Sequence, residues 1–129
     1  PVIEKGEADI LVAFELLEAA RWAACLRKGG TLIANTQQIL PMPVITGAAT
    51  YPAELADNLG RVCPGAILID ALTPAEQAGS PRAVNVVLMG VLSRVLDLPE
   101  DAWQQALARS IKPGLLAMNQ AAFEKGRRL

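Results

Sequence analysis

Histidine is absent from all 129 residues. With it go the usual general base, the usual activator of a nucleophile and the commonest zinc ligand. Chemistry here must rest on carboxylate, lysine or backbone groups, or belong to a partner. Cysteine occurs twice, as Cys25 and Cys63, far apart and with no second cysteine near either. That excludes a disulfide framework and an iron–sulfur or zinc ligand set, and suits a reducing cytoplasm. No basic run is longer than Arg127-Arg128 and the net charge is −1, which argues against nucleic acid as a partner. Apolar stretches such as Ala83 to Leu92 are broken by Asn85 and fall short of the roughly 20 residues that a membrane span requires. The chain opens on Pro1-Val2 with neither methionine nor signal peptide, from which we expect a missing N-terminal piece.

What remains is a chain with 52% hydrophobic and 19% charged residues, enough to bury one core, so one domain over residues 1–129 is expected. Three continuous apolar runs, at about residues 8–14, 31–35 and 66–70, read as strands buried on both faces. Between the first two, Leu16, Ala19, Ala23 and Leu26 form an apolar stripe opposite Glu15, Glu18, Arg21, Cys25 and Lys28. That predicts an amphipathic helix closed by Gly29-Gly30. Strand, helix, strand with short joints implies a parallel crossover. The expected fold is a three-layer α/β/α Rossmann-like domain with a mainly parallel sheet and helices on both faces, N-terminally truncated.

Prolines 41 and 43 are expected to forbid helix between Thr36 and Thr50, where Val44-Ile45-Thr46 suits a short edge strand. Pro52 marks a helix start, with Leu55, Leu59 and Val62 on its apolar face. A brief helical turn is expected at Pro74 to Ala78. Next comes a helix from Ala83 through Leu96, apolar nearly all round, whose Gly90 and Ser93 permit another backbone to approach. Pro99 opens a further helix with a stripe of Trp103, Ala106, Leu107 and Ile111, broken by Lys112-Pro113-Gly114. A last helix is expected from Leu115 to Lys125, ended by Gly126.

No phosphate-gripping glycine loop, metal spacing, nucleophile elbow or triad is present. Glu15 and Glu18 read as part of a solvated helix face beside Arg21 and Lys28, and the two cysteines as packing residues. Asn35 and Asp70 each close a strand at the edge where open parallel sheets gather ligands. Loop bracing competes as a role for Asn35, and capping of the next turn for Asp70. Arg82 offers a fork for a carboxylate or phosphate beside a helix start, and Asn85 places an amide in an otherwise apolar helix. These four residues are the candidates for facing a ligand or partner. No catalytic residue and no metal ligand is assigned.

The run from Asp70-Ala71 through Ala75-Glu76-Gln77-Ala78-Gly79-Ser80-Pro81-Arg82-Ala83-Val84-Asn85 to Gly90 resembles a segment of the gamma domain of pyruvate and other 2-oxoacid:ferredoxin oxidoreductases. Ala8 to Ala19 resembles that domain's strand and following helix, Gly29 to Thr36 its next strand, and Asn119, Ala122, Phe123 and Gly126 its carboxyl-terminal pattern. Glu15 to Glu18 and the loop Ile39-Leu40-Pro41-Met42-Pro43 look most like the small subunit of the indolepyruvate type. The domain's opening Gly-x-Gly-Gly-Gln-Gly turn has no counterpart here.

The resemblance implies a subunit of an enzyme that oxidatively decarboxylates a 2-oxoacid to an acyl-coenzyme A and passes electrons to ferredoxin. It implies thiamine diphosphate, magnesium and iron–sulfur clusters on partner subunits and none on this chain. The implied partner is the large catalytic subunit, with ferredoxin reached through the complex. We further expect a homo-oligomer in isolation and an isolated chain that is catalytically inert. An independent nucleotide-binding domain, which needs a phosphate loop upstream, and a purely structural oligomerisation module stand as alternatives.

Overall fold

Ala8–Ala13 is a run of mostly apolar residues too short for a stable helix, and it forms strand β1. The computed structural model describes residues 2–129, and β1 pairs in parallel with β2, Leu26–Asn35. With β3, Ile67–Ile69, they make a three-stranded parallel sheet in the order β1-β2-β3. The α/β class and the three strand positions agree with expectation. Among the described residues β1 lies at the sheet's edge, however, so Ile10, Leu11 and Val12 are half-buried where burial on both faces was expected.

The β1–β2 connection is α1, Leu16–Trp22, followed by a 3₁₀ turn at Ala23–Cys25. The expected helix therefore ends early, and Gly29-Gly30 does not cap it. Those glycines lie inside β2, where Ala8 faces Leu26 but Ile10 faces Thr31, so the extra residues of β2 bulge out. Gly29 takes φ +76°, and a Cβ on Gly30 would sit 2.9 Å from the Asp9 carbonyl oxygen. Only glycine suits either position.

Met42–Ile45 forms the short helix α2 in place of the expected edge strand. Its prolines are tolerated because Pro41 caps the turn and Pro43 sits in the first turn, where no amide hydrogen has an intrahelical acceptor. Helix α3 spans Leu55–Val62, starting beyond Pro52. Leu59 is buried, whereas Val62 is 73% exposed and leaves the predicted stripe. Ala13, Leu16, Ala19, Leu32, Ala34 and Leu59 are the core of this first unit, residues 1–68.

The second unit, residues 69–129, holds four helices: α4, Leu72–Ala78; α5, Val84–Leu92; α6, Glu100–Ser110; and α7, Pro113–Arg128. Helix α5 is shorter than expected at its end, where Ser93 to Leu96 continue as turns. Pro113 opens α7 as its first residue, so the predicted Lys112-Pro113-Gly114 break is a helix start. Gly126 lies within α7 and does not terminate it. It serves packing: a Cβ on Gly126 would fall 2.0 Å from the Val87 carbonyl oxygen, and one on Gly90 2.2 Å from the Phe123 carbonyl oxygen. The backbones of α5 and α7 thus meet through two facing glycines, and the close approach expected of Gly90 is made by a helix of this chain.

That crossing has no room for a methyl group. Gly126→Ala should lower stability by about 1–3 kcal/mol or more, since overpacking against rigid backbone cannot relax cheaply. Gly60→Ala, on a helix where a Cβ meets nothing within 4 Å, should leave stability unchanged or raise it by up to about 1 kcal/mol. Thermal melts of both variants against the parent check this; equal melting temperatures for Gly126→Ala and the parent would refute it.

Candidate functional site at the carboxyl edge of the sheet

Parallel pairing brings the carboxyl ends of β1 and β2, Ala13 and Asn35, to one edge. Glu15 stands just beyond, in extended backbone at φ −158°, ψ 148°, as the N-cap of α1. Its carboxylate accepts the Glu18 amide at 3.0 Å, the Ile39 amide at 3.4 Å and the Tyr51 hydroxyl. The residue is only 5% exposed. This corrects the reading of Glu15 as part of a solvated face: the helix starts one residue later, so Glu15 leaves the helical stripe and turns inward as its cap. Glu18 does stay on the surface, half-buried, and accepts from Arg21.

Asn35 is fully buried beside it. Its amide nitrogen donates to the Phe14 carbonyl at 3.2 Å and to Gln37 Oε1 at 3.3 Å, while its Oδ1 accepts the Gln37 amide at 3.5 Å. The Leu16 amide reaches the Gln37 carbonyl at 3.4 Å. The side chain of Asn35 therefore braces the start of the loop that follows β2. Tyr51 has its phenol pushed up to about 12, first by burial, then by its hydrogen bond to Glu15 and by that group's charge. Glu15 and Tyr51 together were not anticipated, because they lie 36 residues apart. The available signal was local: an acidic residue directly between an apolar run and a helical stripe, with Glu18 three residues on, is the spacing of a capping pair.

In the second unit, Asp70 is exposed and accepts the amides of Leu72 at 2.9 Å and Thr73 at 3.1 Å. Hydrogen bonds from Thr73, its side chain first, hold the Asp70 carboxyl below its ordinary value. It caps the entry to α4. Arg82 and Asn85 line one cleft of about 430 Å³ with Gly79, Ser80, Met118 and Asn119. The turn is set by Gly79 at φ +126° and by Ser80, whose hydroxyl accepts the Arg82 amide at 3.2 Å. Asn85 is exposed and lines the cleft. Among the described residues, neither the Arg82 guanidinium nor the Asn85 amide has a hydrogen-bond or ion-pair partner, and no cluster of carboxylates and cysteines could hold a metal. Trp103 packs on Phe123, ring centroids 5.8 Å apart, in the interior of this unit. No helix among the described residues is long and apolar enough to cross a membrane.

The model of the pyruvate ferredoxin/flavodoxin oxidoreductase family matches residues 1–129. The indolepyruvate oxidoreductase subunit IorB of Archaeoglobus fulgidus is 35% identical over 130 aligned residues, covering 98% of this chain and 65% of the relative. IorB of Thermococcus kodakarensis is 34% identical, covering 97% and 64%. The chain thus spans just under two thirds of the length of these curated relatives. Among solved structures, a keto/oxoacid ferredoxin oxidoreductase gamma subunit from Geobacter sulfurreducens superposes with a TM-score of 0.68 at 17% identity, covering 98% of this chain and 66% of that one. A 2-oxoglutarate:ferredoxin oxidoreductase from Magnetococcus marinus, with 2-oxoglutarate, coenzyme A and succinyl-CoA bound, gives 0.64 at 19% identity, covering 99% and 21%. At these identities the two structures bear on the fold.

Tyr51 is the sole tyrosine, so ultraviolet titration reads it alone. The phenolate should appear with a midpoint of about 12. Because the folded value is raised, Tyr51 contributes its full stabilisation below the ordinary tyrosine range near 10, and that contribution is lost as pH climbs through about 12. In Glu15→Gln the midpoint should fall part of the way back, since burial remains. An unchanged midpoint in that variant would contradict the Glu15–Tyr51 bond.

Proposed function

The chain belongs to the pyruvate ferredoxin/flavodoxin oxidoreductase family, and from that footing we propose that it acts as the small subunit of a ferredoxin-dependent 2-oxoacid oxidoreductase of the indolepyruvate type. The observation that carries the reading is the match to IorB relatives at 33–35% identity over nearly the whole chain. The reaction is oxidative decarboxylation of an arylpyruvate to its acyl-coenzyme A, with electrons leaving to ferredoxin. Thiamine diphosphate with magnesium supplies the carbanion chemistry, and iron–sulfur clusters the electron path, on the large partner subunit. A chain without histidine, whose described residues include no metal-binding cluster, is suited to a structural and docking role. We take residues 1–129 as one gamma-type domain and expect the chain alone to be inert and to self-associate.

Within this role the four candidates divide by what they already touch. Asn35 and Asp70 have their polar atoms engaged by neighbouring backbone, and so hold the loops that shape their edges. Arg82 and Asn85 are the pair left to face a partner or the coenzyme A path. An unpaired guanidinium with an amide beside it in a cleft suits a phosphate or carboxylate. The cleft's apolar members, Leu115 and Met118, suit an alkyl or aromatic neighbour.

The test is reconstitution with the large subunit. Arg82→Ala should fold normally, since the side chain is exposed and unpaired. It should weaken complex formation, or raise the apparent KM for coenzyme A, by about tenfold, the usual scale for one hydrogen bond to a charged group. Wild-type assembly and acyl-coenzyme A production would remove Arg82 from the functional surface. Failure of the parent complex to convert any arylpyruvate would overturn the indolepyruvate assignment itself.

A further inference from the structure

Residues 36–51 leave the carboxyl end of β2 and come back to the body of the first unit at Tyr51, with almost all their regular bonding directed inward. The Val44 and Ile45 amides bond the Pro41 carbonyl at 2.9 and 3.1 Å, Thr46 bonds Met42 at 2.9 Å, Gly47 bonds Val44 at 3.1 Å and Ala49 bonds Pro43 at 2.9 Å. The Thr46 hydroxyl adds a bond to the Pro43 carbonyl at 3.3 Å. The tip is therefore a preformed unit, stiffened by two prolines and bent at Gly47, φ +77°. Such a compact loop with closed ends is an Ω-loop.

Its neck is closed by Glu15 together with the Tyr51 hydroxyl, which also accepts a hydrogen bond from the Leu17 backbone. Glu15 accepts the Ile39 amide near one end of the loop and the Tyr51 hydroxyl at the other. Gln37, bonded to Asn35 and to the Leu16 amide, secures only the first residues. Burying a carboxylate without a cation is costly unless several donors compensate it. Here the donors come from both sides of the neck and from the Glu18 amide. We propose that Glu15 is a latch: rupture of its bond to Tyr51 frees residues 36–51 to swing out as one body, uncovering Asn35 and the carboxyl edge of β1 and β2 while the sheet stays closed. The edge from which the loop departs is the one at which parallel sheets receive ligands. The latch is a property of this chain alone and stands or falls independently of the reaction proposed above.

Hydrogen–deuterium exchange on the full chain reads the motion directly. Tyr51→Phe removes the hydroxyl and leaves the Glu15 cap on α1 intact. It should speed exchange at Leu16 and Ile39 by roughly tenfold or more, with Glu18 and the β2 residues Leu32 to Ala34 unchanged, as expected for a local opening distinct from global unfolding. Limited proteolysis should gain a cut between Thr46 and Thr50 in the same variant. Glu15→Gln should add faster exchange at Glu18; if that variant does not fold, Tyr51→Phe decides alone. Unchanged exchange at Ile39 in Tyr51→Phe, or an equal rise at Ile39 and at Leu32 to Ala34, would overturn the latch.

Discussion

Two parallel strands cannot be joined by a tight turn, so the chain leaving β1 must cross the length of the sheet before β2 can begin. Helix α1 and the 3₁₀ turn after it make that crossing. A consequence is that β1 and β2 both end at the same edge, and the polar groups released there must find partners together. Glu15 and Asn35 answer that need: one caps the crossover helix, the other ties the two strand ends and the departing loop to each other. The parallel ladder thus dictates where the buried polar cluster sits, and the cluster dictates how residues 36–51 are held.

Glycine pairs mark the two places where backbone meets something at less than side-chain distance, and they do so for different reasons. In β2, Gly29-Gly30 absorbs extra residues against β1, at a left-handed φ for the first and close to the Asp9 carbonyl for the second. Between α5 and α7, Gly90 and Gly126 have ordinary helical backbone, and what they supply is the missing side chain. A helix apolar on almost every face is stable in water only when covered, and the glycine contact lets α7 lie close along α5 and bury Val87 and Val91.

The polar groups of the two units are used in opposite ways. In the first, a buried carboxylate, an amide and a phenol are satisfied within the chain. In the second, a guanidinium and an amide stand open in a cleft. Satisfied buried clusters specify one arrangement of the backbone, whereas exposed unpaired groups add little to stability and remain available to bind.

Much of this was legible from residue order alone. Continuous apolar runs located the three strands of the described residues, although β1 and β3 are only half-buried, and the lack of histidine and clustered cysteine bounded the chemistry. Asp70 as a cap and Gly90 as a contact point were readable too, because each depends on neighbours a few residues away or on mere size. The tertiary structure alone decided that Gly29-Gly30 makes a bulge, that Gly126 sits inside a helix, that Asn85 is exposed, and that Glu15 is buried against Tyr51. Each of these turns on a partner distant in sequence: the Asp9 carbonyl, the Val87 carbonyl, the walls of a cleft, a phenol beyond an entire loop. Periodicity reports which face of an element is apolar, but where an element starts, and what stands opposite a glycine or a carboxylate, follows from packing that no local pattern encodes.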